Sequence, residues 1–310
     1  MRNLSRSKEA PCAEKLLADL LPYIGTPIAS AISERYGKRV SALCEIRFVL
    51  QRPVTVEFSD GFEVLSDRNA RPVIADFECV NRVVNAVSDG SLYSINETIK
   101  DGFVTIEGGH RIGFCGTAVI DGGAVSHIKD ISAVCVRICR EVLGCAERVR
   151  DVFFLGGRAA NVLIASPPGC GKTTLLRDAC RLLGSSLKVG IADERCEIAA
   201  VTKGFAQNDI GDFTFVCSGY PKRCAMQMML RSMSPNVIAT DEIGSESDFA
   251  AISAAQSGGV SVIATAHALC IEDLDRRYGR ETLRRCFDRV IFLKNRGEVS
   301  KIYGRGYCDL

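Results

Sequence analysis

The 310-residue chain has no tryptophan, three histidines, five methionines and almost no net charge, 39 Lys and Arg standing against 37 Asp and Glu. Each shortage excludes something. Without Trp, and with only seven Tyr, no aromatic platform for stacking single-stranded nucleic acid is evident. A net charge of +2 creates no overall field that would gather polyanions. No Cys-x-x-Cys pair occurs among the fifteen cysteines, and the nearest cluster, Cys135, Cys139 and Cys145, has no histidine at zinc-like spacing. Most cysteines, such as Cys180, Cys217 and Cys286, lie in apolar contexts and read as small buried hydrophobes of a reducing compartment. The first residues, with Arg2, Arg6, Lys8, Glu9 and Glu14, hold no apolar signal-peptide core. Phe249 to Ile271 is free of charge and long enough to cross a membrane, but Gly258 and Gly259 split it into an Ala/Ser-rich helix and a strand, Val260–Thr265. The expectation is a chain without a membrane span, of ordinary globular composition at 47% hydrophobic and 25% charged residues.

What is present centres on Ser166-Pro-Pro-Gly-Cys-Gly-Lys-Thr-Thr174. It follows an apolar run, Val162–Ala165, and opens a helical pattern, Thr173–Leu183. Strand, glycine-rich turn, Gly-Lys-Thr and helix are the layout of a phosphate-binding P-loop. Gly169 and Gly171 let the backbone turn and present N–H groups to phosphate oxygens, so Ser166, Pro167, Pro168, Gly169, Cys170, Gly171, Lys172, Thr173 and Thr174 are the expected nucleotide cradle. Lys172 can reach the β- and γ-phosphates, Thr173 can place a hydroxyl on Mg²⁺, and the helix N-terminus attracts anions. Ser166 stands where the motif has its first glycine, at the entry of the loop rather than under the phosphates. Cys170, beside Lys172 and a helix N-terminus, is expected to be a reactive thiol.

Asn236-Val-Ile-Ala-Thr-Asp241-Glu242 reads as a buried strand ending in two acids, 69 residues after Lys172. Asp241 there can hold a Mg²⁺ shell, and Glu242 can polarise an attacking water. Further strands are expected at Val189–Ala192, Val260–Thr265 and Arg289–Leu293. Alternating strand and helix predicts a mainly parallel sheet covered by helices on both faces. The first four strands end in the P-loop, in Asp193-Glu194-Arg195, in Asp241-Glu242 and in His267, and ligands bind at such carboxyl ends. The first half reads as mixed α+β: helices over Ala13–Leu21, Pro27–Tyr36 and Asp76–Ser88, strands over Cys44–Val49, Val54–Phe58, Phe103–Ile106 and Arg111–Val119. The expected domains are 1–150 and 151–310, with the boundary between Gly144 and Gly157, no long Pro/Ser linker and no internal repeat.

Taken together, several segments resemble the stage III sporulation protein AA family. They are the P-loop with Leu-Leu-Arg-Asp after it, Ala192-Asp-Glu-Arg195 with Glu197, Gly219-Tyr-Pro-Lys222, Arg231-Ser-Met-Ser-Pro235, Asp241-Glu-Ile-Gly244 and Thr265-Ala-His267. In the first half they are Glu45-Ile-Arg47, Ser91-Leu-Tyr93, Gly102-Phe-Val-Thr105, Gly108-Gly-His-Arg-Ile-Gly113 and Arg137-Ile-Cys-Arg140. The resemblance implies a RecA-like ATPase related to the motors of type II and type IV secretion systems, using ATP and Mg²⁺ and working as a hexameric ring. It further implies a cytoplasmic, mother-cell position beneath a sporulation channel, peripheral to the membrane, with the membrane protein stage III sporulation protein AB as partner. Carried over residue by residue, Lys172 and Thr173 are the P-loop lysine and magnesium ligand, Asp241 the magnesium-shell acid and Glu242 the catalytic carboxylate. Glu194 falls in the acidic box after the second strand. His267 falls in the histidine box, on a strand between those of the P-loop and Asp241, where it can sense the γ-phosphate.

An arginine finger is expected from a neighbouring subunit, with Arg137, Arg140, Arg223 and Arg231 as open candidates, each of which, taken singly, reads better as a surface ion-pair partner. Two other functions stay open. Residues 276–305 hold ten Lys and Arg against three acids, which suits a nucleic-acid-dependent ATPase, although a solvated helix face explains the same run. A nucleotide-binding switch without turnover is the other, and the intact Asp241-Glu242 pair argues against it.

Overall fold

A computed structural model describes residues 13–88, 103–295 and 297–305. Ser91–Tyr93 and Gly102 lie outside the described residues. The chain forms two compact units, Met1–Arg140 and Glu141–Leu310, so the division falls ten residues before the expected 150. The reason is local. The Ala146 amide donates to the buried carboxylate of Asp178 at 2.7 Å, and Val152 and Phe153 join the core of the second unit.

In the first unit, α1 (Ala13–Tyr36) is two helical segments merged across Gly25, at φ 76° and ψ 160° between Pro22 and Pro27. By length and composition the stretch Ala13–Ala42 is apolar enough to cross a membrane, with mean hydropathy 1.3. Here it is bent, and Leu16, Leu20, Ile24, Ile28 and Ile32 are buried in the unit's core. Helix α2 (Phe77–Ser88) is started by Asp76, whose carboxylate accepts the Cys79 N–H at 2.8 Å. The strands are β1 (Leu43–Val49), β2 (Thr55–Phe58), β3 (Gly61–Val64), β4 (Phe103–Thr105), β5 (Arg111–Asp121) and β6 (Ala124–Arg137). They form an antiparallel sheet in the order β3-β2-β1-β6-β5-β4. Strands β3 and β6 have no counterpart in the sequence reading. In β6 a bulge interrupts the alternation: Asp130 takes φ 48°, and the register with β5 shifts between Cys115 and Thr117. Gly116 is required there, because a Cβ would stand 2.6 Å from the Lys129 carbonyl.

The second unit carries a seven-stranded sheet. Two short hairpins flank it, β7 (Phe154–Leu155) with β8 (Arg158–Ala159) and β11 (Val201–Thr202) with β12 (Phe205–Ala206). Its strands are β9 (Val162–Ser166), β10 (Val189–Asp193), β13 (Thr214–Ser218), β14 (Val237–Thr240), β15 (Ser261–His267), β16 (Arg289–Lys294) and β17 (Glu298–Tyr303). The order is β13-β10-β14-β15-β9-β16-β17, parallel except for the β16–β17 hairpin. Helices α3 (Lys172–Leu183), α4 (Lys222–Ser232), α5 (Glu246–Ser257), α6 (Ile271–Tyr278) and α7 (Arg280–Cys286) complete it. Residues of β9 alternate between two cores: Leu163 and Ala165 pack with residues of α4, α5 and α7, Val162 and Ile164 with residues of α3. Burial on both faces is what a parallel sheet demands. The charge-free run from Phe249 becomes α5 and β15, separated at Gly258 and Gly259.

Candidate functional site

Strand order brings the candidate residues to one edge. Strand β15 lies between β14 and β9, and its register sets His267 beside Ser166. The 166–174 loop then turns on two left-handed glycines, Gly169 at φ 74° and Gly171 at φ 91°. Gly171 is the N-cap of α3 and offers no side-chain cap, so the first N–H groups of the helix are left for an anion. Thr173 and Thr174 follow in the first turn, both half-buried. Pro167 and Pro168 form the outer arm, and the Cys170 carbonyl accepts the Gly297 N–H of the β16–β17 turn at 2.8 Å.

Lys172 is buried at 5% exposure. Its ammonium donates to the carbonyls of Ser166 (3.2 Å) and Pro167 (3.1 Å), to the Ser166 hydroxyl (3.4 Å) and to His267 Nδ1 (3.0 Å). Burial pushes its pKa below the ordinary lysine value, against the pull of Glu242 and Cys170. Since Nδ1 accepts from lysine, the ring proton sits on Nε2, which donates to Glu242 Oε1 at 3.2 Å. The second carboxylate oxygen of Glu242 pairs with Arg195. A continuous polar chain therefore runs from the loop carbonyls through Lys172, His267 and Glu242 to Arg195.

Glu242 is held at φ 42°, a left-handed conformation that costs a non-glycine residue about 1–3 kcal/mol and persists only where its surroundings fix it. They do so here. The Glu242 N–H donates to the Thr265 hydroxyl at 2.8 Å, and its carbonyl accepts from Lys222 Nζ at 2.7 Å. The next amide, Ile243, donates to the Thr265 carbonyl at 2.8 Å.

Asp241 is fully buried, and both its carboxylate oxygens are without a hydrogen-bond partner among the described residues. Burial, then the nearby charge of Asp193, push its pKa up to about 7; Lys222 opposes this, and Glu197 and Glu242 add to it. Asp193 is satisfied instead, accepting the N–H groups of Glu197 (2.8 Å), Ile198 (3.1 Å) and Ala199 (2.9 Å). A buried carboxylate with free lone pairs, crowded by other acids, fits a divalent cation. Among the described residues no three metal-binding side chains converge.

The structure thus brings Lys172, His267, Glu242 and Asp241 to one edge. Glu194 lies at its margin, exposed, its carboxylate 3.5 Å from Lys222. Of the four candidate arginines, Arg223 follows Lys222 at the site end of α4, whereas Arg231 is roughly 12 Å further along that helix. In the first unit, Arg137 pairs with Glu45 at 3.7 Å and Arg140 donates to the Leu43 carbonyl. Arg195 and Lys222 stand in segments that the sequence singles out, but the sequence assigns neither of them a role at the site. The signal for Lys222 is an anomaly, a cation at the positive end of a helix dipole.

This fold, a mainly parallel sheet with the loop, the two acids and the histidine on adjoining strand ends, is a RecA-like α/β domain. The same fold recurs in the pilus retraction motor PilT with bound ADP (TM-score 0.60, 16% identity, 86% of this chain and 76% of that one). It recurs also in the Legionella pneumophila ATPase DotB (TM-score 0.52, 16% identity, 81% and 72%). Among sequences, stage III sporulation protein AA of Bacillus subtilis is 36% identical over 93% of this chain and 94% of its own length. The family described as "Sporulation stage III, protein AA" matches residues 26–307. The chain belongs to that family.

Proposed function

We propose that the protein hydrolyses ATP as the motor or gate of a sporulation channel. The observation that carries the reading is the buried, unpartnered Asp241 beside the Lys172–His267–Glu242 chain, at the mouth of a loop built for phosphate. Lys172 would leave its resting carbonyl partners for the β- and γ-phosphate oxygens. Glu242 would orient a water in line with the γ-phosphoryl group, and His267, joining Glu242 to Lys172, would register whether that group is present. Mg²⁺, held by Asp241 and Thr173 with the phosphates, would supply charge neutralisation at the transferring group. Glu194, on Lys222, would act at the rim. An arginine supplied in trans within a hexameric ring would add on the order of 10³–10⁵ in rate, and Arg223 is the candidate of the second unit nearest the site edge.

The likeness to sporulation protein AA supports a cytoplasmic, mother-cell position at the membrane, with stage III sporulation protein AB as the membrane partner. The nucleic-acid alternative gains nothing from the basic stretch. Arg277 pairs with Asp273, Arg280 with Asp275, Arg284 with Glu281, Lys294 with Glu298 and Arg305 with Asp288, as on a solvated face.

The test is turnover per subunit against protein concentration, with Glu242→Gln as control and a parallel series containing single-stranded DNA. Turnover that rises with self-association, ignores DNA and vanishes in the variant supports the motor. Stimulation by DNA moves the assignment to the nucleic-acid class, and equal turnover in monomer and assembly removes the trans arginine.

A further inference from the structure

We propose that Lys222 is a positioning residue for hydrolysis: it holds the peptide of Glu242 so that the water-orienting carboxylate is aimed, without itself reaching the reacting atoms. The inference rests on the ATPase reading above.

Lys222 stands where electrostatics alone would not put it. It is the first residue of α4, behind Pro221, with no side-chain cap, so its charge faces the positive end of the helix dipole. It is also buried, at 9% exposure, although a lysine ordinarily stretches its ammonium into water. Two unfavourable placements at one residue need compensation, and apart from the charge of Asp248 in the first turn of α5 it comes from the site. Nζ donates to the Glu242 carbonyl at 2.7 Å, lies 3.5 Å from Glu194 Oε2, and counters the acids crowding Asp241.

What it holds is the strained residue. The other restraints are Thr265 on its N–H, His267 and Arg195 on its carboxylate, and the Thr265 carbonyl on the Ile243 N–H across the following peptide. Lys222 takes the carbonyl, the remaining backbone handle on a residue at φ 42°. Without that donor, the peptide after Glu242 keeps only the Ile243 N–H bond to Thr265, and it can tilt about that bond and swing the side chain away from the in-line water. A misplacement of about 1 Å can cost on the order of 10²-fold in rate. The lysine is thus both the clasp on the bend and the counter-charge that lets acids gather around it.

The experiment compares the full chain with Lys222→Met, Lys222→Gln and Lys222→Arg, reading kcat, KM, fluorescent mant-ADP affinity and thermal midpoint. Lys222→Met is expected to lower kcat on the order of 10²-fold while KM and mant-ADP affinity stay within about threefold. Lys222→Gln keeps a donor for the carbonyl without the charge and is expected to recover about tenfold of that loss. Wild-type kcat in the Met variant overturns the proposal, as does a Gln variant no better than Met. So does a fall in kcat matched by equal losses of nucleotide affinity in all three variants, the mark of a merely structural lysine. If the Met variant does not fold, Gln and Arg decide it: kcat reduced at near-constant KM supports the role, and parallel loss of binding refutes it. A wild-type chain that binds mant-ADP but shows no turnover in any assembly refutes the ATPase reading itself, and the positioning role falls with it.

Discussion

Replacing Asp241 by asparagine should stabilise the nucleotide-free protein above neutral pH while abolishing hydrolysis. The carboxylate is fully buried, unpartnered among the described residues and raised to about pKa 7 by burial and neighbouring acids. Against an unfolded value near 3.8, the folded state binds the extra proton between those limits. Stability from this group is therefore full below about pH 4, declines as pH rises toward 7, and is flat beyond. At about 1.4 kcal/mol per pKa unit, the ionised carboxylate costs the folded state roughly 4 kcal/mol at alkaline pH. An asparagine escapes that cost but buries an amide that lacks partners, so about 1–3 kcal/mol of gain remains. For a protein of this size that raises Tm by about 2–5 °C. The assay is thermal unfolding of wild type and Asp241→Asn in EDTA, at about pH 8 and about pH 5.5. The gap should be wide at the higher pH and narrow at the lower. A variant no more stable than wild type at about pH 8 would refute the argument, because the carboxylate would then have partners or solvent that the structure denies it.

Glu242→Gln should leave nucleotide affinity intact and reduce turnover on the order of 10²-fold or more, measured by phosphate release beside mant-nucleotide titration; a parallel loss of affinity would remove Glu242 from the water. N-ethylmaleimide should inactivate through Cys170, half-exposed in the loop with its thiol 3.7 Å from the Pro168 carbonyl, with nucleotide protecting and Cys170→Ser resistant. Since Cys115, Cys224 and Cys270 are also exposed, the readout is activity rather than label count. Ser166→Gly should change ATP affinity by less than about tenfold, or ~1.4 kcal/mol: the hydroxyl donates to the Pro167 carbonyl at 2.8 Å and is a long partner, 3.4 Å, for Lys172. His110 is buried, accepts the Cys139 N–H on Nδ1 at 3.2 Å, and is pushed below the usual histidine pKa by burial. The unfolded chain then binds its proton first, so stability should be lost as pH falls below about 6.5, and His110→Gln should flatten that limb of the denaturation profile.

The candidate site residues of the second unit are legible because each piece is local in sequence. A glycine-rich turn before a helix and two acids after an apolar strand announce themselves within ten residues, and β9, β10, β14 and β15 are short, largely apolar runs with polar ends. Strand β13 was missed because only Cys217 of its five residues is fully buried, and β17 because it is an antiparallel edge with mixed exposure. Strand β6 was hidden by its bulge, which flips the alternation at Asp130. What no local pattern could carry is the wiring of the site. Arg195 and Lys222 matter through Glu242, which is 47 and 20 positions away in the chain, and the link exists only because β10, β14 and β15 lie side by side. Lys222 still left a trace: a lysine opening a helix contradicts the helix dipole, and the contradiction is resolved only by the acids of other strands. The same logic explains the strain at Glu242. A left-handed glutamate is unreadable from sequence, yet it follows once Thr265, Lys222 and His267 each claim a different part of that residue. Local rules fail here at the very point where several strands converge on one side chain, and that convergence is what the proposed hydrolysis would require.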